Sequence, residues 1–144
     1  MDKKIILWIA VIVGVIAGMI AIAIIPRISR GQWITPSQVQ RVEFWGFSSC
    51  ESTEPNRVEL SESEIRTLIS HFRSATYAGK VDAEGCDCEF SFVIYLTDGT
   101  KIAAREATAP RIHVDPPQGE AYWIQSKALA SYAQELIKKY GYTS

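Results

Sequence analysis

Residues 88–107 read CEFSFVIYLTDGTKIAAREA, and they decide the fold class. Cys88, Phe90, Phe92, Ile94 and Leu96 fall at every second position, the period of a strand with one apolar face. Asp98-Gly99 comes directly after, a pair suited to the positive φ angles of a tight two-residue turn, and the run then resumes. Two strands joined by so short a turn must be antiparallel.

The flanking segments extend the same sheet. RIHVD (Arg111–Asp115) and AYWIQ (Ala121–Gln125) border Pro116-Pro117-Gln118-Gly119 and predict a second hairpin. RVEFWGF (Arg41–Phe47) is rich in strand formers. It is followed by the loop-like SSCESTEPN (Ser48–Asn56) and by RVEL (Arg57–Leu60), a further pair of strands.

Two helices are legible. Ser61-Glu62-Ser63-Glu64 is a capping box, with Leu60 and Ile65 placed as its hydrophobic staple. Ile65, Leu68, Ile69 and Phe72 follow at helical spacing and predict a helix to about Tyr77, stopped near Gly79. Ser126 caps a second helix, with Leu129, Tyr132, Ala133, Leu136, Ile137 and Tyr140 on one side and Lys138 and Lys139 at its C-terminal dipole. The predicted order is strand, strand, helix, four strands, helix. The predicted fold is α+β: an antiparallel sheet of about six strands with both helices on one face, since two apolar stripes need one apolar surface to cover.

IILWIAVIVGVIAGMIAIAII (Ile5–Ile25) is 21 residues without a polar side chain. At about 1.5 Å per residue it covers the roughly 30 Å core of a bilayer. Lys3 and Lys4 precede it, Arg27 and Arg30 follow, and Trp8 and Trp33 lie near its ends. Ala21-Ile22-Ala23 has the shape of a cleavage site, but Ile24 and Ile25 continue the run past it, so a retained anchor is the preferred reading. Pro26 is expected to end the helix. The expected organisation is a cytoplasmic tail (1–4), a transmembrane helix (5–25), a linker (26–37) and an extracytoplasmic α+β domain (38–144), in the layout of a signal anchor.

From Gly31 onward the chain carries 11 Lys+Arg and 15 Asp+Glu, with no basic run. Nucleic acid, which needs clustered cations, is not an expected partner. The layout from Gln38 to Tyr140 resembles small uncharacterised extracytoplasmic domains of Gram-positive bacteria, membrane-anchored or lipoprotein. The resemblance rests on LSESEIRTLISHF, FVIYLTDGTKI and AYWIQSKALASYAQEL. It implies a capped helix ahead of a strand meander and a closing helix, and it implies no activity. This chain lacks the lipid-modified cysteine of such lipoproteins.

Three cysteines are the chemically distinctive residues. Outside the cytoplasm thiols oxidise, and Cys50 is the available partner for Cys88 or for Cys86. A Cys86–Cys88 bond is disfavoured by the spacing of same-face strand neighbours. The alternatives are buried thiols that stay reduced, and a Cys₃His zinc set with His71 or His113, although Cys-x-Cys with distant partners is a weak zinc spacing, and a redox pair ordinarily has two intervening residues. Asp82, Glu84, Asp87 and Glu89 read as a solvated acidic loop, and the two histidines as packing or surface residues. Trp45, Tyr95, Tyr122 and Trp123 read mostly as core, with one or two on an open sheet face.

No catalytic, cofactor or metal residues are assigned. The expected function is a non-catalytic, membrane-tethered binding module that contacts lipid through its anchor and an envelope protein or ligand through its domain. The alternative is a thiol- or metal-dependent sensor, or a minor enzyme, using Cys50, Cys86 and Cys88. Ala10, Gly14 and Gly18 form a small-residue stripe on the span, the pattern of a helix that packs against a second copy.

Overall fold

The computed structural model describes residues 2–29, 34–46, 56–81, 89–108 and 110–140. Helix α1 (Lys3–Ser29) carries the apolar run and is long and apolar enough to cross a membrane. It does not end at Pro26. A proline removes one backbone hydrogen bond without stopping the ladder, and spans tolerate this. The expected linker shrinks accordingly: Ile34 is already buried in the domain core, and a 3₁₀ turn (Pro36–Gln38) leads into the first strand.

The domain is a seven-stranded antiparallel sheet. Its strands are β1 (Val39–Gly46), β2 (Asn56–Glu59), β3 (Thr76–Lys80), β4 (Phe90–Leu96), β5 (Lys101–Thr108), β6 (Arg111–Asp115) and β7 (Tyr122–Gln125), in the order β2-β1-β4-β5-β6-β7-β3. Helix α2 (Glu62–Ser74) follows β2, and α3 (Lys127–Tyr140) closes the domain.

Strand β3 is the element that the sequence pattern misses. The apolar stripe of α2 runs out at Phe72, Ser74 Oγ donates to the His71 carbonyl, and Ala75 is already extended, so Thr76 and Tyr77 enter a strand instead of continuing the helix. Gly79, expected as the helix stop, sits at a register shift in β3 with φ +110°. The β4–β5 turn also differs from expectation. Only Gly99 has positive φ, and the Leu96 amide bonds the Thr100 carbonyl at 2.8 Å, so the loop has three residues and ends on a glycine bulge.

The ladder sorts side chains by face. Phe44 lies opposite Val58 and Phe92, Phe92 opposite Ala104, Ala104 opposite Val114, and Val114 opposite Tyr122. Phe44, Phe92, Ala104, Val114 and Tyr122 join Leu68, Ile69 and Phe72 of α2 and Leu129, Ala133 and Leu136 of α3 in one core cluster. Both helices therefore cover the same face. Its neighbour on the far side carries the other parity of residues, with no helix over it among the described residues.

Candidate functional site

The helix-free face is built by register. Directly opposed residues share a face, so Arg57, Trp45, Ser91, Arg105, His113, Trp123 and Gly79 form one row across all seven strands. At about 4.8 Å between strands, Trp45 and Trp123 stand roughly 19 Å apart. A neighbouring row runs Glu59, Glu43, Val93, Ala103, Asp115. Arg41, Tyr95 and Lys101 form a third. Valine, alanine and serine on β4 and β5 leave a low centre between taller rings and guanidinium groups.

Each ring on this face carries an arginine. Arg41 lies 3.7 Å from the Tyr95 ring centre, Arg57 5.7 Å from that of Trp45, and Arg111 4.7 Å from that of Trp123. Such stacks hold a guanidinium in place while its in-plane N–H groups stay available. Of the four strand aromatics, Trp45, Tyr95 and Trp123 thus occupy this face, and Tyr122 alone faces the core. The indole N–H groups of Trp45 and Trp123 are buried without an acceptor.

Glu43 is the buried charge of the site. Arg41 and Arg57 both donate to its Oε1, and the Tyr95 hydroxyl donates to Oε2 at 3.1 Å. Burial opposes the charged form, but these three donors outweigh it and hold the carboxyl below the usual range. On the other side of the centre, Arg105 Nε donates to His113 Nδ1 at 3.0 Å and Arg105 also donates to Asp115 at 3.1 Å. An accepting Nδ1 places the proton of the neutral ring on Nε2. Trp123 meets the His113 ring edge-on at 5.3 Å. A shallow cleft of about 460 Å³ opens here, lined by Arg105, His113, Asp115, Lys80, Val81, Glu120 and Ala121. Every strong hydrogen-bonding group in it is already engaged: Lys80 donates to Glu120 at 2.7 Å.

Of the residues singled out in the sequence, Cys50, Cys86, Cys88, Asp82, Glu84 and Asp87 lie outside the described residues. Glu89 accepts from Gln134 at 2.7 Å. His71 packs its ring 5.5 Å from that of Tyr132, on the helix side, far from His113 on the opposite face. Among the described residues no group of three or more His, Cys, Asp or Glu is arranged to hold a metal. Ala10, Gly14 and Gly18 lie on α1, where a Cβ added at either glycine meets open space.

Sequence reasoning missed Glu43 and the arginines around it. The Arg41-x-Glu43 spacing was a visible signal for a same-face ion pair, but the roles of Arg57, Arg105 and Arg111 depend on register between strands remote in sequence. Compared with protein-family models, curated proteins and solved structures, the chain matches none.

Proposed function

We propose that this chain is a non-catalytic interaction module, anchored through α1 and holding its domain at the extracytoplasmic membrane surface, with the helix-free sheet face as its contact surface. One observation carries the reading: three ring–guanidinium stacks, on Tyr95, Trp45 and Trp123, lie across that face, the Trp123 ring itself buried and carrying its arginine above it. Trp, Tyr and Arg are the residue types that concentrate binding energy at protein interfaces.

The tether supports it. Only residues 30–33 separate the end of α1 at Ser29 from Ile34 in the domain core. At no more than about 3.6 Å per residue, that step spans under roughly 20 Å. The domain is held beside its membrane, where a partner in the same envelope is met at high effective concentration.

The test places a photo-crosslinking residue at Ser91, in the low centre of the face, in the full chain in its native membrane. A second variant carries it at Ser70, exposed on α2. A discrete adduct from position 91 that is absent from position 70 is the expected result. No adduct from 91, or the same pattern from both, overturns the reading.

A further inference from the structure

We propose that the helix-free face receives an acidic polypeptide segment of a partner protein, its carboxylates meeting Arg111 and Lys101. This rests on the reading of that face as the contact surface and adds the chemistry of what it contacts.

Charge is distributed unevenly over the domain. From Gly31 onward it holds 11 cationic against 15 acidic side chains. Yet among the described residues the face and its cleft present Arg41, Arg57, Lys80, Lys101, Arg105 and Arg111 against Glu43, Glu59, Asp115 and Glu120. Glu43 is consumed internally by Arg41, Arg57 and Tyr95. Arg111 and Lys101 have no carboxylate partner among the described residues, and Arg111 is fixed over Trp123. A guanidinium already oriented by a ring loses little freedom on pairing with a carboxylate.

The face shows how it holds a carboxylate, since Glu43 is closed on by two guanidinium groups and a phenol. A dense phosphate polymer fits less well, because Glu43, Glu59 and Asp115 are interleaved with the cations and repel a continuous anion. A lipid surface fits less well for a geometric reason. Arg111 opens β6 at the end of the sheet where β1 finishes, whereas the tether enters at Ile34, at the other end, where Lys101 lies in one row with Arg41, so a flat surface beside the tether meets Lys101 without Arg111.

The experiment uses the full chain in nanodiscs of uncharged lipid, with a deca-glutamate peptide as probe. The expected result is saturable binding that weakens about tenfold in the Arg111→Gln/Lys101→Gln variant at low salt, with the difference shrinking as salt rises. Arg66→Gln on α2 is expected to bind as the parent does, and circular dichroism checks that each variant is folded. The proposal is overturned by absence of saturable binding, by equal weakening in Arg66→Gln, or by tighter binding of polyphosphate or of anionic vesicles than of the peptide. It is also overturned if binding emerges only after Asp82, Glu84 and Asp87 are neutralised, which would make this chain's own acidic segment the occupant. A crosslink from position 91 that persists while the peptide fails to bind removes the acidic partner and leaves the contact surface standing; loss of both removes both.

Discussion

The Lys139 ammonium donates to the Glu64 carboxylate at 2.6 Å, tying the last turn of α3 to the first turn of α2. The same carboxylate accepts from the Ser61 amide at 2.8 Å and from the Tyr140 hydroxyl at 2.8 Å, while the Tyr132 hydroxyl donates to the Glu64 carbonyl at 3.2 Å. A capping-box glutamate ordinarily serves its own helix. Here it also joins the two helices that cover the core.

The first prediction follows from that junction. Burial opposes the Glu64 charge, but Lys139, the Ser61 amide and Tyr140 together hold its carboxyl down at about 2. A depressed carboxyl contributes stability that is fully present above its unfolded value and is lost as pH falls toward the folded one. Glu64→Gln is expected to cost about 2 kcal/mol at neutral pH, allowing for the solvent around Lys139. The variant and parent should converge as pH falls from the ordinary glutamate range toward 2. Denaturant midpoints measured across that range check it; a gap that does not narrow refutes the assignment.

Glu106 behaves in the opposite sense. It lies on the core face of β5 opposite Ile112, is 4% exposed, and its Oε2 has no hydrogen-bond partner. Burial first, and Glu89 second, raise its carboxyl above the usual range. The folded state then holds its proton longer than the unfolded chain does, so stability falls as pH rises from the unfolded value through the folded one. Glu106→Gln removes that penalty. At pH 8 the variant should melt about 3–5 °C above the parent, a gain of roughly 1 kcal/mol, with the gap closing toward pH 4. Equal melting temperatures at pH 8 would sink this account.

What the sequence disclosed and what it hid have physical causes. The core strands, the Ser61–Glu64 cap and α3 were legible because local periodicity and capping chemistry specify them. Strand β3 was not, because Thr76–Lys80 is exposed along most of its length and carries no alternating apolar signal. Pro26 misled because a proline weakens a helix without obliging it to stop. The arginine–aromatic face was invisible in one dimension: Trp45 and Arg105 come into one row only through Ser91, and no local spacing states that register.

The proposed topology makes a third prediction. Lys3 and Lys4 precede the apolar run of α1, Arg27 and Arg30 follow it, and the domain lies C-terminal to the span. Protease added to intact cells or spheroplasts is expected to remove the domain and leave a membrane-embedded fragment containing α1. Protection until lysis would place the domain on the cytoplasmic side.

The last prediction concerns the thiols, and it follows from that topology. Gly46, the last residue of β1, lies directly opposite Phe90, the first residue of β4. Cys50 stands four residues beyond the one; Cys88 and Cys86 stand two and four residues before the other. Both cysteine-bearing segments therefore adjoin the same end of one ladder in the chain. Outside the cytoplasm Cys50 is expected to pair with Cys88 or Cys86. Closing a loop of roughly 36 residues restricts the unfolded chain and stabilises by about 3–4 kcal/mol in the chain-entropy picture. Protein trapped with an alkylating reagent at lysis is expected to show one blocked thiol and one bridge, released on reduction with a clear drop in melting temperature. Cys50→Ser should abolish the bridge and leave two alkylated thiols, while one of Cys86→Ser and Cys88→Ser should preserve it. Three alkylated thiols in the parent would rule out the bridge, and a bridge lost in Cys88→Ser but kept in Cys86→Ser would assign the pairing to Cys88.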